Sequence, residues 1–156
     1  MKKSLIITCL LTTLIGCKAE KKQFSKLNAS QTNVMFQNTL FETNTNNYFT
    51  YPYMYLGGGV AAGDFNNDGL EDLFFTGNMV PNKLYINKGN LEFEDISKTA
   101  GIEGDQRWYS GVTLIDINKD GYLDIYCSVA GENEPQNNVL YLNNQDNTFK
   151  EVAKDY

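Results

Sequence analysis

The sequence contains no histidine, one arginine, one tryptophan, three prolines and three cysteines. Without histidine there is no Ser-His-Asp or Cys-His nucleophilic catalysis, no histidine-containing zinc site and no imidazole pH switch. Basic side chains are scarce as well, 13 against 19 acidic, and the net charge of −6 argues against a nucleic-acid partner, because phosphate binding needs clustered Lys and Arg. With 42% hydrophobic and 21% charged residues, the chain is too polar for a multi-span membrane protein and too apolar for a disordered one. Asparagine, by contrast, is abundant: its 19 residues equal Asp and Glu together. Asn, Asp and Gly build tight turns and oxygen-rich loops, so the composition predicts many turns joining short elements.

Long apolar runs are also missing, except at the start. Met1-Lys2-Lys3 precedes an apolar stretch from Leu5 to Ile15, which is too short for a permanent span of roughly 20 residues and reads as a secretory signal. It ends in Leu14-Ile15-Gly16-Cys17, which resembles the lipobox of bacterial lipoproteins. That resemblance implies cleavage before Cys17, lipidation of Cys17 and a lipid anchor in a membrane, placing the mature chain outside the cytoplasm, at the outer membrane or cell surface. The plainer alternative is an ordinary signal peptide with an incidental cysteine. Loss of Lys2 and Lys3 leaves 11 basic residues and a mature charge of −8. Cys127 is then the remaining thiol, unable to form an internal disulfide. Its setting, Asp124-Ile-Tyr-Cys-Ser-Val129, predicts a buried strand interior rather than a reactive group.

Residues 17–32 read as a polar tether and 33–56 as an aromatic-rich segment. Tyr51, Tyr53 and Tyr55 share one face if that stretch is extended. Either a strand packed on its neighbour or a sugar-stacking platform fits, and Pro52 favours a sheet edge.

The rest of the chain is duplicated. Gly59-Val-Ala-Ala-Gly-Asp-Phe-Asn-Asn-Asp-Gly-Leu-Glu-Asp-Leu-Phe-Phe returns 52 positions later as Gly111-Val-Thr-Leu-Ile-Asp-Ile-Asn-Lys-Asp-Gly-Tyr-Leu-Asp-Ile-Tyr-Cys. Asn82-Lys-Leu-Tyr-Ile-Asn87 returns as Asn138-Val-Leu-Tyr-Leu-Asn143 at an offset of 56, the added residues lying in the 130–137 loop. Residues 57–102 and 103–156 are therefore two repeats, each with four short apolar runs between turn residues. The spacing predicts an all-β fold of two four-stranded antiparallel blades of propeller type following the signal segment. Strands are expected near 59–62, 72–76, 83–87 and 92–96, and near 111–115, 124–129, 139–143 and 149–153.

Each repeat carries Asp-x-Asn-x-Asp-Gly-x-x-Asp, as Asp64, Asn66, Asp68 and Asp72 and as Asp116, Asn118, Asp120 and Asp124. Alternate oxygen side chains in a curled loop suit calcium, a hard cation that takes six to eight oxygens at roughly 2.3–2.6 Å. Leu70 and Tyr122 would add backbone carbonyls, leaving their apolar side chains free to pack inward. Gly69 and Gly121 permit the left-handed backbone that turns the chain. Two calcium sites are thus expected, with water completing each shell. Magnesium, which prefers its waters and a stricter octahedron, is the weaker fit, and the bare alternative is a pair of Asn/Asp/Gly turns holding no ion. An EF-hand would need Glu at position 12 and flanking helices, but Phe75 and Cys127 stand there between β-rich flanks.

These residues resemble FG-GAP-like, or VCBS-type, repeats, related to the calcium loops of the integrin α-subunit propeller. More narrowly, the chain is similar to the amino-terminal part of large VCBS-repeat lipoproteins of Bacteroidetes. The resemblance implies calcium on the five positions named in each loop. Closed propellers need about four to eight blades, and this chain holds two. It therefore reads as a fragment or truncated product, with ring assembly of several chains or an unstable open piece as alternatives.

Functionally, the expectation is a non-enzymatic, calcium-binding, lipid-anchored module outside the cytoplasm that presents a binding or scaffolding surface to a protein or glycan. The competing readings are a piece of a propeller-based carbohydrate-active enzyme and a non-functional remnant. Glu71, Glu92, Glu94, Glu103, Asp105, Glu132 and Glu134 could supply an acid–base pair but read better as solvated loop charges, and Arg107-Trp108-Tyr109 reads as core or blade-junction packing rather than a carbohydrate site.

Overall fold

The computed structural model describes residues 23–105, 107–131 and 136–156. The expected signal segment and Cys17, the expected lipidation position, lie outside the described residues, as do Glu132 and Glu134. Two four-stranded antiparallel sheets follow one another, each in simple meander order. The first contains β1 (Val60–Gly63), β2 (Asp72–Phe75), β3 (Lys83–Asn87) and β4 (Phe93–Asp95). The second contains β5 (Tyr109–Ile115), β6 (Asp124–Val129), β7 (Val139–Asn143) and β8 (Phe149–Glu151). Every strand falls within or beside its expected range, because each apolar run is bounded by residues that turn the chain. The β3–β4 turn places Gly89, Asn90 and Leu91 at positive φ, and the β7–β8 turn does the same with Gln145 and Asn147.

Between the sheets, Ser97–Ala100 forms a single helical turn. Another short turn, Ala29–Thr32, lies at the end of the expected tether, where the backbone N–H of Asn28 donates to the Gln31 side chain at 2.9 Å.

Strand alternation assigns the faces. Phe65, Phe74 and Leu84 from the first sheet, with Ala100 and Ile102 from the connection, meet Ile125, Cys127, Val139, Tyr141 and Phe149 from the second in one buried core. Cys127 is fully enclosed there, as its strand setting predicts, and burial pushes its thiol up to about 12. The other face of the first sheet is covered by the segment around residues 34–41. The ring of Phe36 stacks on Phe75 at 5.0 Å between centroids, and the Met35 N–H donates to the Tyr85 hydroxyl at 3.3 Å.

The tyrosine stripe departs from expectation. Pro52–Leu56 is a 3-10 turn, not a strand. Proline at its first position fixes a helical φ and gives up an N–H that a ladder would need. The turn buries Met54 and leaves Tyr53 and Tyr55 exposed. Trp108 is buried and meets the ring of Tyr51, from the segment before the first sheet, edge-on at 5.2 Å.

Candidate metal centre

Both Asp-rich loops connect the first two strands of their sheet and fold in the same way. In the first, Asp64 accepts the N–H groups of Asp68 at 3.0 Å and Gly69 at 2.8 Å. Asn66 accepts a second bond from Asp68 N–H at 3.1 Å and donates its amide to the Asp68 carboxylate at 3.0 Å. Asp68 accepts the Leu70 N–H at 2.9 Å. In the second loop Asp116 accepts from Asp120 and Gly121, both at 3.0 Å, and Asp120 accepts from the Asn118 amide at 2.8 Å and from Tyr122 N–H at 2.9 Å. Gly69 and Gly121 take φ of 86° and 89°, the left-handed backbone that a side chain resists.

The last aspartate of each loop is built differently. Asp72 and Asp124 open β2 and β6 and are fully buried. Asp72 accepts the Phe65 N–H at 2.9 Å with one oxygen and the Asn87 N–H at 2.8 Å with the other. Asp124 repeats this with Ile117 at 2.9 Å and Asn143 at 2.8 Å. Each is a bolt between its loop and the end of the third strand.

Burial raises the carboxyl of Asp72. The N–H bonds from Asn87 and Phe65 oppose that shift, and the nearby charges of Asp68 and Asp64 add to it. Three mutually repelling carboxylates therefore share one loop. Asp120, at the loop surface, is held below the usual carboxylate range by the N–H of Tyr122 and the amides of Asn118 and Gln145.

The donor set is all oxygen, which is the chemistry a hard cation requires, and a carboxylate oxygen with one N–H bond keeps a second lone pair. Among the described residues, no three acidic or cysteine side chains converge closely enough to hold a metal ion by themselves. A cation in either loop would therefore need the asparagine and backbone oxygens as well. The side chain of Leu70 is 38% exposed and that of Tyr122 half-buried, so neither joins the core as expected.

Sequence reasoning missed the asparagines that support the loops. Asn143 donates its amide across the sheets to the Phe65 carbonyl at 2.8 Å and to the Leu123 carbonyl at 3.2 Å. Asn87 donates likewise to the Glu71 carbonyl at 2.9 Å. The two loops touch directly, Asn67 donating to the Gly121 carbonyl at 3.1 Å. Gln145 reaches the Asp120 carboxylate at 3.1 Å from a position where the first repeat has Gly89. The signal for Asn87 and Asn143 was present, since each closes the repeated Leu-Tyr-Ile/Leu-Asn run.

Of the candidate acid–base carboxylates among the described residues, two are held in ion pairs. Glu94 pairs with Lys88 at 3.2 Å and Asp105 with Arg107 at 2.6 Å, both at the surface. Arg107 also donates to the Asn137 carbonyl at 2.9 Å.

Two meandering blades with matching Asp-rich loops define a repeated β-module of propeller type. Residues 64–127, from the first loop to the end of the second, match the FG-GAP-like repeat family. Over 102 residues the chain is 35% identical to cartilage acidic protein 1 of Xenopus tropicalis, covering 64% of this chain and 15% of that one. With cartilage acidic protein 1 of Homo sapiens it shares 36% identity over 72 residues, covering 46% and 11%. With integrin alpha-8 of Gallus gallus it shares 32% over 112 residues, covering 62% and 11%. The chain thus carries an FG-GAP-like repeat and is homologous to parts of these proteins, spanning at most 15% of their lengths. Among the described residues, no helix is long and apolar enough to cross a membrane.

Proposed function

We propose that this chain is a calcium-stabilised, lipid-anchored module that presents a non-catalytic binding surface, for a protein or a glycan, outside the cytoplasm. The observation that supports it is the pair of loops with matching hydrogen bonds, each setting Asp, Asn and Asp oxygens around one turn with a buried Asp behind them. Calcium would be held by Asp64, Asn66, Asp68, the Leu70 carbonyl and Asp72 in the first loop, and by Asp116, Asn118, Asp120, the Tyr122 carbonyl and Asp124 in the second. It supplies positive charge where three carboxylates crowd together, so it acts as a component of the fold. The anchor rests on Cys17 and the apolar run before it. The affinity expected of an extracellular module is roughly 10⁻⁴ to 10⁻³ M.

Calorimetric titration of the chain with calcium tests this reading. Two ions should bind, Asp68→Ala and Asp120→Ala should each remove one, and magnesium should compete weakly. No uptake, or uptake indifferent to both substitutions, overturns it. Metabolic labelling with a fatty acid, lost in Cys17→Ser, tests the anchor.

A further inference from the structure

Asn47 organises an exposed loop in the segment before the first sheet. Its side-chain oxygen accepts the N–H groups of Phe49 at 2.9 Å and Thr50 at 3.3 Å, and its amide donates to the carbonyls of Thr43 at 2.9 Å and Asn44 at 3.3 Å. The hydroxyls of Thr43 and Thr50 close the same loop, accepting the N–H groups of Asn46 at 2.9 Å and Asn47 at 3.0 Å. These bonds fix the backbone that carries Tyr48 and Phe49. Phe49 is 92% exposed, more than any other large apolar side chain among the described residues, and Tyr48 is 55% exposed. Adjacent rings held in water on a bonded loop serve recognition rather than the core. The two meet edge to face, with 6.0 Å between centroids and 74° between planes. They border an open cavity of about 410 Å³, within the roughly 300–1,000 Å³ of small-ligand sites. Its other walls are Glu42, Thr43, Asn44 and Asn47, with Glu42 the one charge. The Glu42 carboxylate accepts the hydroxyl of Tyr55, and a carboxylate has about four lone-pair sites, so acceptor capacity remains.

Exposed ring faces beside hydroxyl, amide and carboxylate groups suit a ligand that is apolar on one side and hydroxylated around its edge. A pyranose is such a ligand: its C–H face stacks on an aromatic ring, and its hydroxyls bond carboxylate and amide groups. Perpendicular rings do not make one flat platform under several consecutive sugars, but they can enclose a single sugar residue, one ring beneath it and one at its edge. An alkylammonium ion would also find a carboxylate and ring faces, yet four of the six lining residues are polar, which favours hydroxyls over methyl groups. We propose that this cavity binds one neutral pyranose residue of a glycan, stacked on Phe49 and Tyr48 and hydrogen-bonded by Glu42 and Asn44. The site rests on the binding surface proposed above and names its ligand. It shares no residue with either Asp-rich loop, so calcium uptake and glycan binding can fail separately.

Calorimetric titration of the full chain carrying Cys17→Ser, in a polyoxyethylene detergent that has no sugar head group, tests the site. The probes are cellohexaose, maltohexaose, mannohexaose and xylohexaose, with tetramethylammonium and butylammonium as the cationic counterparts. At least one hexaose should bind, and neither cation should. Phe49→Ala should weaken that binding about tenfold or more. Because the Phe49 ring is exposed, the same variant should keep its melting temperature and its calcium uptake, which a merely structural role for the ring would not allow. Glu42→Gln, with the same shape and no charge, should weaken binding less than Phe49→Ala. Failure of all four hexaoses to bind overturns the proposal and leaves the calcium reading untouched. Hexaose binding indifferent to Phe49→Ala also overturns it, since the glycan would then lie elsewhere on the surface. Uptake of either cation in place of the hexaoses overturns it in favour of an ammonium site.

Discussion

At the scale of single residues, two glycines set how closely the sheets approach. A methyl group added at Gly59 would sit 2.8 Å from the Val112 backbone nitrogen, and one at Gly63 would sit 2.5 Å from the end of Leu114. The first obstacle is backbone in a strand and cannot move alone, whereas the second is a leucine methyl that can change rotamer. Gly59→Ala should therefore cost about 1–3 kcal/mol, the usual range for overpacking, and Gly63→Ala less. Urea unfolding of both variants checks the ranking, and a larger loss for Gly63→Ala would contradict it. Asn82 shows how one residue difference passes through the repeat. Its carbonyl oxygen accepts the Gly77 N–H at 2.9 Å, as Asn138 accepts that of Val129 at 3.0 Å. The Asn138 amide then reaches the Tyr126 hydroxyl, but the first repeat has Phe74 at that position. The buried amide nitrogen of Asn82 is consequently left without a partner among the described residues. An unmet buried donor costs about 1–3 kcal/mol.

At the scale of elements, the hairpin joining β3 and β4 ends in a charged clasp. Lys83 donates to Asp95 at 2.9 Å, and the hydroxyl and backbone N–H of Ser97 donate to the same carboxylate. Partial burial works to raise the Asp95 carboxyl. The Ser97 hydroxyl and Lys83 ammonium outweigh it and hold the group below the usual carboxylate range. Its pKa is thus lower folded than unfolded. The clasp contributes stability above the unfolded value of about 3.9, and that stability is lost as pH falls through the folded value. Asp95→Asn should remove this part of the acid dependence while leaving the neutral-pH profile flat. Thermal melts from pH 6 down to pH 2 check it, and an unchanged slope below pH 4 would count against the clasp.

Much at this level was legible in the sequence, because apolar runs between Gly, Asn and Asp clusters mark strands locally. The tyrosine stripe was misread because alternation over five residues fits a 3-10 turn as well as a strand, and Pro52 decides between them. Buried bolts such as Asp72, and the asparagines that meet them, escape a linear reading because their partners are 15 residues away. The same Asp-x-Asn-x-Asp-Gly spacing serves both a cation shell and a set of backbone turns.

At the scale of the whole molecule, the two loops are linked to each other as well as to their own sheets. Asn67 of the first bonds the Gly121 carbonyl of the second, and Asn143 behind the second loop bonds the Phe65 carbonyl in the first. If each loop takes calcium, ordering one loop positions a backbone group of the other, and the two binding events become coupled. By linkage the effect is reciprocal: each ion changes the other's affinity by the same factor. One exposed hydrogen bond is worth about 0.5–1.5 kcal/mol, so the coupling should be about two- to tenfold. Calcium bound only by the folded chain also raises its stability, by about 2.7 kcal/mol per site at a hundred times the dissociation constant. Asn67→Ala removes the link and none of the proposed ligands. It should leave two ions bound, bring the two affinities together, and retain nearly the full rise in melting temperature at saturating calcium. Calorimetric titration beside thermal melts separates the cases. An unchanged pair of affinities shows the loops to be independent, and loss of one ion shows that Asn67 itself belongs to the shell.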